Sequence, residues 1–378
     1  MSTASSQSAA QLVREVGLVG SLIIGFGSIP GTGVFVSLGF AAGATGSTML
    51  WAIVAAAVVA MCNGLSSAQL AANHPVAGGT YAYGYRYLTP NLGFAAGWMF
   101  LCAKSASAAT AGLGFAGYLL AELGFNQPWL RTAVGLAALL GITIMVQLGV
   151  RRSNVLNGVL VGLTLPALGL FAAIAWIAGP VEGERAAGAS FTTGGWLEAV
   201  ALVFVAFTGY GRIATMGEEV KEPRRSIPIA IVVTLVTTMG IYLVVAGSAL
   251  HAVGVARYAA ASESEAAPLA LIGLDLGLPW ASVLIALGAG FGMLGVLLNL
   301  VLGLSRVGLA MGREGDVPSV FGRLDASGRT PVAAVWLVSG MIGVLMLLGE
   351  VKLTWSFSAF TVLVYYALTN LAALRLTR

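Results

Sequence analysis

The chain has 378 residues, of which 58% are hydrophobic and only 9% are charged, and its formal net charge is +4. Soluble domains carry about 25% charged residues, so this composition excludes an ordinary soluble protein and indicates a membrane protein with many spans. The basic residues are dispersed, which argues against a nucleic-acid partner. The two histidines and two cysteines show no metal-ligand spacing, so we predict neither a metal nor a cofactor.

Ten apolar stretches are long enough to cross a bilayer, which takes about 20 residues. The predicted spans are 17–43, 48–71, 92–124, 132–150, 154–178, 196–217, 227–250, 280–311, 331–349 and 353–374. Residues 1–13 are small and polar, which predicts a disordered cytoplasmic tail. Residues 14–378 are therefore expected to form a single transmembrane domain.

Basic residues predict the orientation, because cytoplasmic loops of membrane proteins are enriched in lysine and arginine. With the N-terminus in the cytoplasm, thirteen basic residues lie inside, and four lie outside: Arg131, Arg185, Arg257 and Lys352. The opposite orientation would reverse this ratio. We therefore predict a multi-pass protein of the cytoplasmic (inner or plasma) membrane with both termini in the cytoplasm.

Two of the predicted spans contain residues that disrupt helices. Span 1 contains GSIPGTG at residues 27–33, and span 6 contains AFTGYG at residues 206–211. If the spans divide into two repeats of five, at about 14–178 and 195–375, each repeat begins with an interrupted helix. This pattern is typical of an inverted repeat whose binding site lies where the interrupted helices meet. The alternative for span 1 alone is a close helix contact through its small residues.

Four motifs resemble those of the amino acid–polyamine–organocation (APC) superfamily. They are GSIPGTGVF at 27–35, PVAGGTYAY at 75–83, GEEVKEPRRSIPIAI at 217–231 and SRVGLAMGREGDVP at 305–318. The resemblance implies an all-α, leucine-transporter-type fold with a five-plus-five inverted repeat and broken helices 1 and 6. It also implies transport of amino acids or related amines. Members usually have twelve spans, and we expect the family's helices 11 and 12 to be absent here.

The interruptions predict a binding site because they free backbone N–H and C=O groups, which need partners inside a membrane. The N-terminal end of a half-helix suits a carboxylate, and the carbonyls that end the preceding half suit an ammonium. The predicted substrate-binding residues are Ser28, Ile29, Gly31, Thr32, Gly33, Phe207, Thr208, Gly209 and Tyr210. In this scheme Gly31, Thr32 and Gly33 bind the carboxylate, and the Tyr210 ring lines or gates the site.

Three polar residues within spans are candidates for ion coupling. Lys104 lies near the middle of span 3, and an ionisable group at such depth is a functional candidate by default. It is predicted to be the titrating group, to balance an acidic substrate, or to pair structurally with carbonyls or an acid. The APC resemblance implies that Thr164 and Asn299 line a Na⁺ site or its proton-filled equivalent. Hydrogen bonding between helices is the alternative for both.

Four charged residues near span 6 are predicted to act in gating: Glu198, Arg212, Glu218 and Glu219. Arg212 lies just beyond the interruption on the cytoplasmic side, and pairing with Glu219 or with a loop acid is its simplest role. Glu218 and Glu219 belong to a charged loop that suits an inner gate. Glu198 lies in the outer half of the span.

Together these features predict a secondary active transporter that works by alternating access, as a proton- or Na⁺-coupled symporter or exchanger. Its expected partners are a small amino acid or amine and the lipid bilayer. The alternative is an amino-acid sensor of the same fold that does not translocate its ligand. A membrane-embedded enzyme would need a nucleophile–base pair or metal ligands within spans, and the sequence shows neither.

Overall fold

The computed structural model describes residues 14–125, 127–181, 191–264, 267–348 and 351–376. The predicted tail at 1–13 and the outer residue Arg185 lie outside the described residues. Within the described ranges the chain is helical, and β pairing is limited to two isolated bridges, Val16 with Val220 and Ala77 with Met216.

The described residues of the first half form seven α-helices, a 3₁₀ turn at Gly46–Thr48 and one π-helical segment at Gly33–Ser37, which continues directly into α2. The α-helices are α1 (Leu18–Ser28), α2 (Leu38–Thr45), α3 (Met49–Asn73), α4 (Thr80–Tyr87), α5 (Pro90–Glu122), α6 (Pro128–Gln147) and α7 (Val150–Ala178).

In the second half, the residues that the structure describes form seven more α-helices, with 3₁₀ turns at Thr208–Tyr210 and Ser319–Gly322. The α-helices are α8 (Thr193–Phe207), α9 (Gly211–Thr215), α10 (Pro223–Ser264), α11 (Pro268–Asp275), α12 (Pro279–Glu314), α13 (Val332–Leu348) and α14 (Val351–Leu374). Helix α10 is kinked at Gly254, whose φ of 73° is in the left-handed region.

Local sequence accounts for where several of these helices begin and end. Proline occupies the first helical position of α5, α6, α11 and α12, where its missing N–H leaves no hydrogen bond unmade. The Thr89 hydroxyl accepts a hydrogen bond from the Leu92 N–H and caps α5. Helix α12 ends at Gly315, which adopts φ 89° and donates its N–H to the Met311 carbonyl.

Seven helical stretches among the described residues are long and apolar enough to cross a membrane: Leu18–Asn73, Pro128–Gln147, Arg152–Ala178, Thr193–Thr215, Pro223–Ser262, Pro279–Glu314 and Val351–Leu374. The first stretch contains both predicted spans 1 and 2. Predicted span 3 corresponds to α5, whose serines, glycines and Lys104 lower its hydropathy, and span 9 corresponds to the 17-residue α13. This is the helix pattern of a multi-pass membrane protein, and the count of ten spans stays a prediction.

Burial separates the central helices from the lipid-facing ones. Helices α5 and α12 are buried along most of their length and pack against each other, and α14 also packs on α5. Large apolar side chains on the outer helices remain exposed, such as Trp51 at 71% and Ile177 at 86%. Because lipid is as apolar as these side chains, an exposed apolar surface is expected of helices that face a bilayer.

Candidate functional site

The two interrupted helices lie in direct contact at the centre of the bundle. Helix α1 ends at Ser28, and helical structure resumes at Thr32, so Ile29–Gly31 form the first interruption. Helix α8 ends at Phe207, and the 3₁₀ turn Thr208–Tyr210 forms the second. A Cβ atom at Gly209 would collide with the carbonyl group of Ser28 and with the Ile29 side chain. The close approach of the two interruptions therefore requires glycine at position 209.

A tyrosine on α10 bridges both interruptions. The Tyr242 hydroxyl is fully buried and lies 3.1 Å from the carbonyl oxygen of Ile29 and 2.9 Å from that of Ala206. It donates to these carbonyls, which the interruptions leave without helical partners. The sequence pattern gives only a weak signal for this role, namely a tyrosine within the apolar run of span 7.

The residues predicted to bind a carboxylate are all buried at the start of the second half of span 1. Thr32 is 1% exposed, and its hydroxyl has no hydrogen-bond partner among the described residues. Buried hydroxyls are almost always hydrogen-bonded. A Cβ at Gly31 would collide with Val296 and the Gly292 carbonyl, so this segment packs tightly on α12. The segment thus presents an unused donor and helix N–H groups at one place.

Ser28, at the end of α1, uses its hydroxyl within the helix, because Ser28 Oγ donates to the Ile24 carbonyl at 2.6 Å. The Ser28 hydroxyl therefore already has a partner, and the predicted role of Ser28 and Ile29 in binding an ammonium depends on their backbone carbonyls. The Ile29 carbonyl is at present the acceptor of Tyr242. An ammonium that binds there must share or replace this bond.

Lys104 caps the second interruption. Its Nζ donates to the carbonyl oxygen of Thr208 at 3.1 Å and to the Thr208 hydroxyl at 2.6 Å, and Lys104 is 3% exposed. The same carbonyl accepts a longer bond from the Tyr366 hydroxyl at 3.4 Å. Among the described residues no acid lies within ion-pair distance of Lys104. The lysine thus pairs with carbonyl and hydroxyl oxygens, one of the roles considered for it.

Aromatic side chains enclose the second interruption on the side of α14. The Tyr210 ring is fully buried and lies 5.6 Å from the Tyr366 ring, which in turn lies 4.1 Å from the Tyr365 ring. Phe207 packs on Tyr242, with ring centroids 5.0 Å apart. Tyr210 therefore belongs to a closed aromatic cluster rather than to an open surface.

A narrow cavity of about 10 Å³ lies beside Lys104, close to the space of one water molecule. It is lined by Phe100, Lys104, Thr208, Gly209, Arg212, Asn299, Leu300, Gly303 and Leu304. Two of these side chains are basic and none is acidic. In this conformation the cavity is too small for an amino acid.

Arg212 is buried at 3% exposure but only partly hydrogen-bonded. Its Nη1 donates to the Thr215 hydroxyl at 3.3 Å, whereas Nε and Nη2 have no partner among the described residues. The expected pairing with Glu219 is not formed, because the Glu219 carboxylate accepts instead from Arg306 Nε at 2.7 Å. Arg306 is fully buried, and only the surrounding SRxGLAM pattern marks it in the sequence.

Glu218, one of the acids predicted to act in gating, connects the loop before α4 to α12 at the predicted cytoplasmic end of the bundle. Glu218 Oε1 pairs with Arg313 Nη1 at 3.2 Å and also accepts from the Ala77 N–H at 3.2 Å. Nearby, Asp316 Oδ2 accepts from the hydroxyls of Tyr81 at 2.8 Å and Tyr85 at 2.7 Å. Burial, followed by the bond to Asp316, raises the pKa of the Tyr81 hydroxyl, which stays a donor at neutral pH.

Glu198, the fourth predicted gating residue, lies apart from this network. It is exposed on the first half of α8, and it forms no ion pair with a described residue. The structure therefore groups Glu218 and Glu219 with α12 and leaves Glu198 outside.

The two residues predicted to share a cation site are not brought together. Thr164 Oγ1 donates to the carbonyls of Leu160 at 2.8 Å and Gly288 at 3.3 Å. Asn299 Nδ2 donates to Asn157 Oδ1 at 2.6 Å. Thr164 also contacts Gly292, and Gly292 and Asn299 are seven residues apart on α12, which is about 10 Å along a helix. Thr164 lines a cleft between α1, α7 and α12, whereas Asn299 lines the Lys104 cavity.

Asn157 was not apparent from the sequence, yet it connects three helices. Its Nδ2 donates to the Ile23 carbonyl on α1 at 2.9 Å while its Oδ1 accepts from Asn299 on α12. Glycine at position 27 leaves room for it, since a Cβ there would collide with the amide. Among the described residues no group of three or more His, Cys, Asp or Glu side chains suits a metal ion.

Interrupted apolar helices that enclose buried charges are features of a membrane transporter. The chain belongs to the amino acid permease family, whose model matches residues 16–378, and thus to the APC superfamily. The family and the relatives below are transporters and not enzymes.

Among its relatives, an uncharacterized transporter of Mycobacterium tuberculosis is 37% identical over 97% of this chain and 81% of its own length. A branched-chain amino acid permease of Bacillus subtilis is 29% identical over 90% of this chain and 76% of its own. A methylthioribose transporter of the same organism is 27% identical over 96% of this chain and 82% of its own length. The named solutes of these relatives differ in chemistry, so similarity alone does not define a substrate.

Proposed function

We propose that this protein is a secondary active transporter of amino acids or related amines in the cytoplasmic membrane, with both termini in the cytoplasm. It works by alternating access of two five-helix repeats around the interruptions in spans 1 and 6. The observation that carries this proposal is the contact between the two interruptions beside the buried, unpartnered Thr32 hydroxyl. Irregular backbone at membrane depth is tolerated where it faces a cavity or a bound solute.

In this proposal the first interruption recognises the groups that all amino acids share. The N–H groups that begin the second half of span 1, together with the Thr32 hydroxyl, bind the carboxylate. The carbonyls of Ile29, Phe207 and Thr208 bind the ammonium. Two of these carbonyls are close to groups that can release them, since Tyr242 bonds Ile29 and Lys104 bonds Thr208. Substrate binding then exchanges one set of hydrogen bonds for another.

Lys104 is proposed to couple transport to protons. When protonated, it donates two short bonds to Thr208 and holds the second interruption in the geometry described above. Loss of the proton removes the charge that strengthens these bonds, which frees the Thr208 carbonyl. Na⁺ is the less favoured ion, because the structure separates Thr164 from Asn299. No observation on the described residues favours a sensor that binds without translocation.

The test is uptake of radiolabelled amino acids and amines by purified protein in proteoliposomes, with pH and Na⁺ gradients imposed separately. Accumulation driven by a pH gradient and not by a Na⁺ gradient is expected. If no amino acid or amine accumulates under either gradient, the transporter proposal is wrong. Binding that persists without any accumulation would then identify a sensor.

A further inference from the structure

The buried charges around the second interruption do not balance. Arg212 and Arg306 are 3% and 0% exposed, and Glu219, at 2%, is the buried acid beside them. Two arginines and one glutamate leave a charge of +1, and arginine does not release its proton in proteins. Lys104 lies at the same cavity as Arg212 and adds a further positive charge when protonated. An uncompensated buried charge is strongly unfavourable, so this cluster favours binding of an anion.

Two members of this group of basic residues, Lys104 and Arg212, line the same cavity. Arg212, which lines the cavity, has two N–H sites, Nε and Nη2, without a partner. Lys104 uses two of its three N–H donors on Thr208. Gly303 makes room for the arginine, since a Cβ there would lie 2.9 Å from Arg212 Cδ. A guanidinium edge and an ammonium around one space are the donor set that carboxylates prefer.

The other acids at this end of the bundle are already engaged elsewhere. Glu218 is paired with Arg313, and Asp316 accepts from Tyr81 and Tyr85. Both acids are only partly buried, and neither lines the cavity. The Glu219 carboxylate has one oxygen on Arg306 and one oxygen without a partner. A turn of Arg212 toward that oxygen is the competing way to satisfy the Arg212 donors, but the net charge of +1 would remain.

We propose that this cavity binds the side-chain carboxylate of the substrate, and that the protein therefore transports acidic amino acids. This inference rests on the proposed function. A carboxylate of the substrate is favoured over a free anion because the cavity is lined by Gly209, which lies against Ser28 and Ile29 at the first interruption. In this proposal the solute is held by its α-groups at Thr32, and its acidic side chain extends past Gly209 toward Arg212. The cavity must widen in the conformation that admits the solute.

The first experiment compares substrates that differ in charge and not in size. Uptake of a radiolabelled amino acid into proteoliposomes is measured in the presence of unlabelled competitors. Inhibition by glutamate is compared with inhibition by glutamine, and inhibition by aspartate with inhibition by asparagine. We expect the acidic member of at least one pair to compete about tenfold better or more, because a site built for a charged group rejects the neutral analogue. If the amides or other neutral amino acids are accumulated as well as the acids, this inference is wrong while the proposed function stands.

The second experiment changes the arginine. Arg212→Gln keeps most of the side-chain length and removes the charge, and it is expected to abolish the preference for the acid over its amide. Arg225→Gln is the matched control, because Arg225 is exposed on the first turn of α10 and lies away from the cavity. An acid preference that survives Arg212→Gln overturns the inference. If Arg212→Gln does not fold, Lys104→Met takes its place, and its acid preference is measured by counterflow exchange, which needs no proton gradient; the same loss of preference is expected.

A binding measurement without transport separates the remaining outcomes. The thermal unfolding midpoint of the detergent-purified protein is measured in separate samples that contain glutamate, glutamine or chloride. Gluconate is the control anion for chloride. Stabilisation by glutamate alone supports a substrate carboxylate. Equal stabilisation by chloride, together with uptake of neutral substrates, assigns the cavity to inorganic anions and contradicts the inference. No accumulation and no stabilisation by any of these solutes contradicts both proposals.

Discussion

Removal of the Tyr242 hydroxyl tests how the two interruptions are held together. Tyr242→Phe deletes a buried group that bonds the carbonyls of Ile29 and Ala206 and adds no new contact. A buried acceptor that loses its donor costs about 1–3 kcal/mol. We therefore expect the free energy of unfolding to fall by about this amount, which is about a 5-fold to 150-fold change in an equilibrium constant.

The measurement is equilibrium unfolding of purified protein in detergent, with Tyr258→Phe as the matched control. Tyr258 lies on the same helix and is fully buried, but its hydroxyl has no hydrogen-bond partner among the described residues. Loss of that hydroxyl is expected to be neutral or slightly stabilising. Equal destabilisation by the two substitutions would refute the bridging role of Tyr242.

Three further substitutions test other parts of the site. Lys104→Ala is expected to abolish gradient-driven uptake while counterflow exchange persists, and equal loss of both activities would indicate a structural role. Gly209→Ala places a methyl group against Ser28 and should reduce transport by about tenfold or more, whereas Gly240→Ala, with nothing near its Cβ, should be silent. Thr32→Val should raise KM about tenfold, because the hydrogen bond from the Thr32 hydroxyl to the charged carboxylate is lost, and it should not reduce stability. An unchanged KM would exclude Thr32 from carboxylate binding.

Much of the helix pattern, and the end of α1, could be predicted from the sequence because these signals are local. The predicted span 280–311 corresponds to α12 at Pro279–Glu314, and the predicted span 353–374 lies within α14 at Val351–Leu374. Glycine, proline and threonine at 27–33 act on their own backbone, and α1 ends within that segment. Such features need no knowledge of neighbouring helices.

The partners of the buried polar groups could not be predicted in this way. Asn157 and Asn299 are 142 residues apart, and Arg306 and Glu219 are 87 apart, so their contacts depend on how the helices pack. Arg212 and Glu219 are seven residues apart and were expected to pair, yet Arg306 on α12 takes the acid. Sequence spacing identified the charged groups but not the helix that supplies each partner.

The shared acceptor at Asp316 has a consequence for how this end of the bundle opens. One carboxylate oxygen holds two tyrosine hydroxyls, 2.8 Å and 2.7 Å away, from successive turns of α4. A movement of α4 away from the end of α12 stretches both bonds at once, and neither tyrosine can be released while the other stays fully bound. Because one carboxylate oxygen accepts both bonds, we expect the two tyrosines to separate from the end of α12 together rather than one after the other.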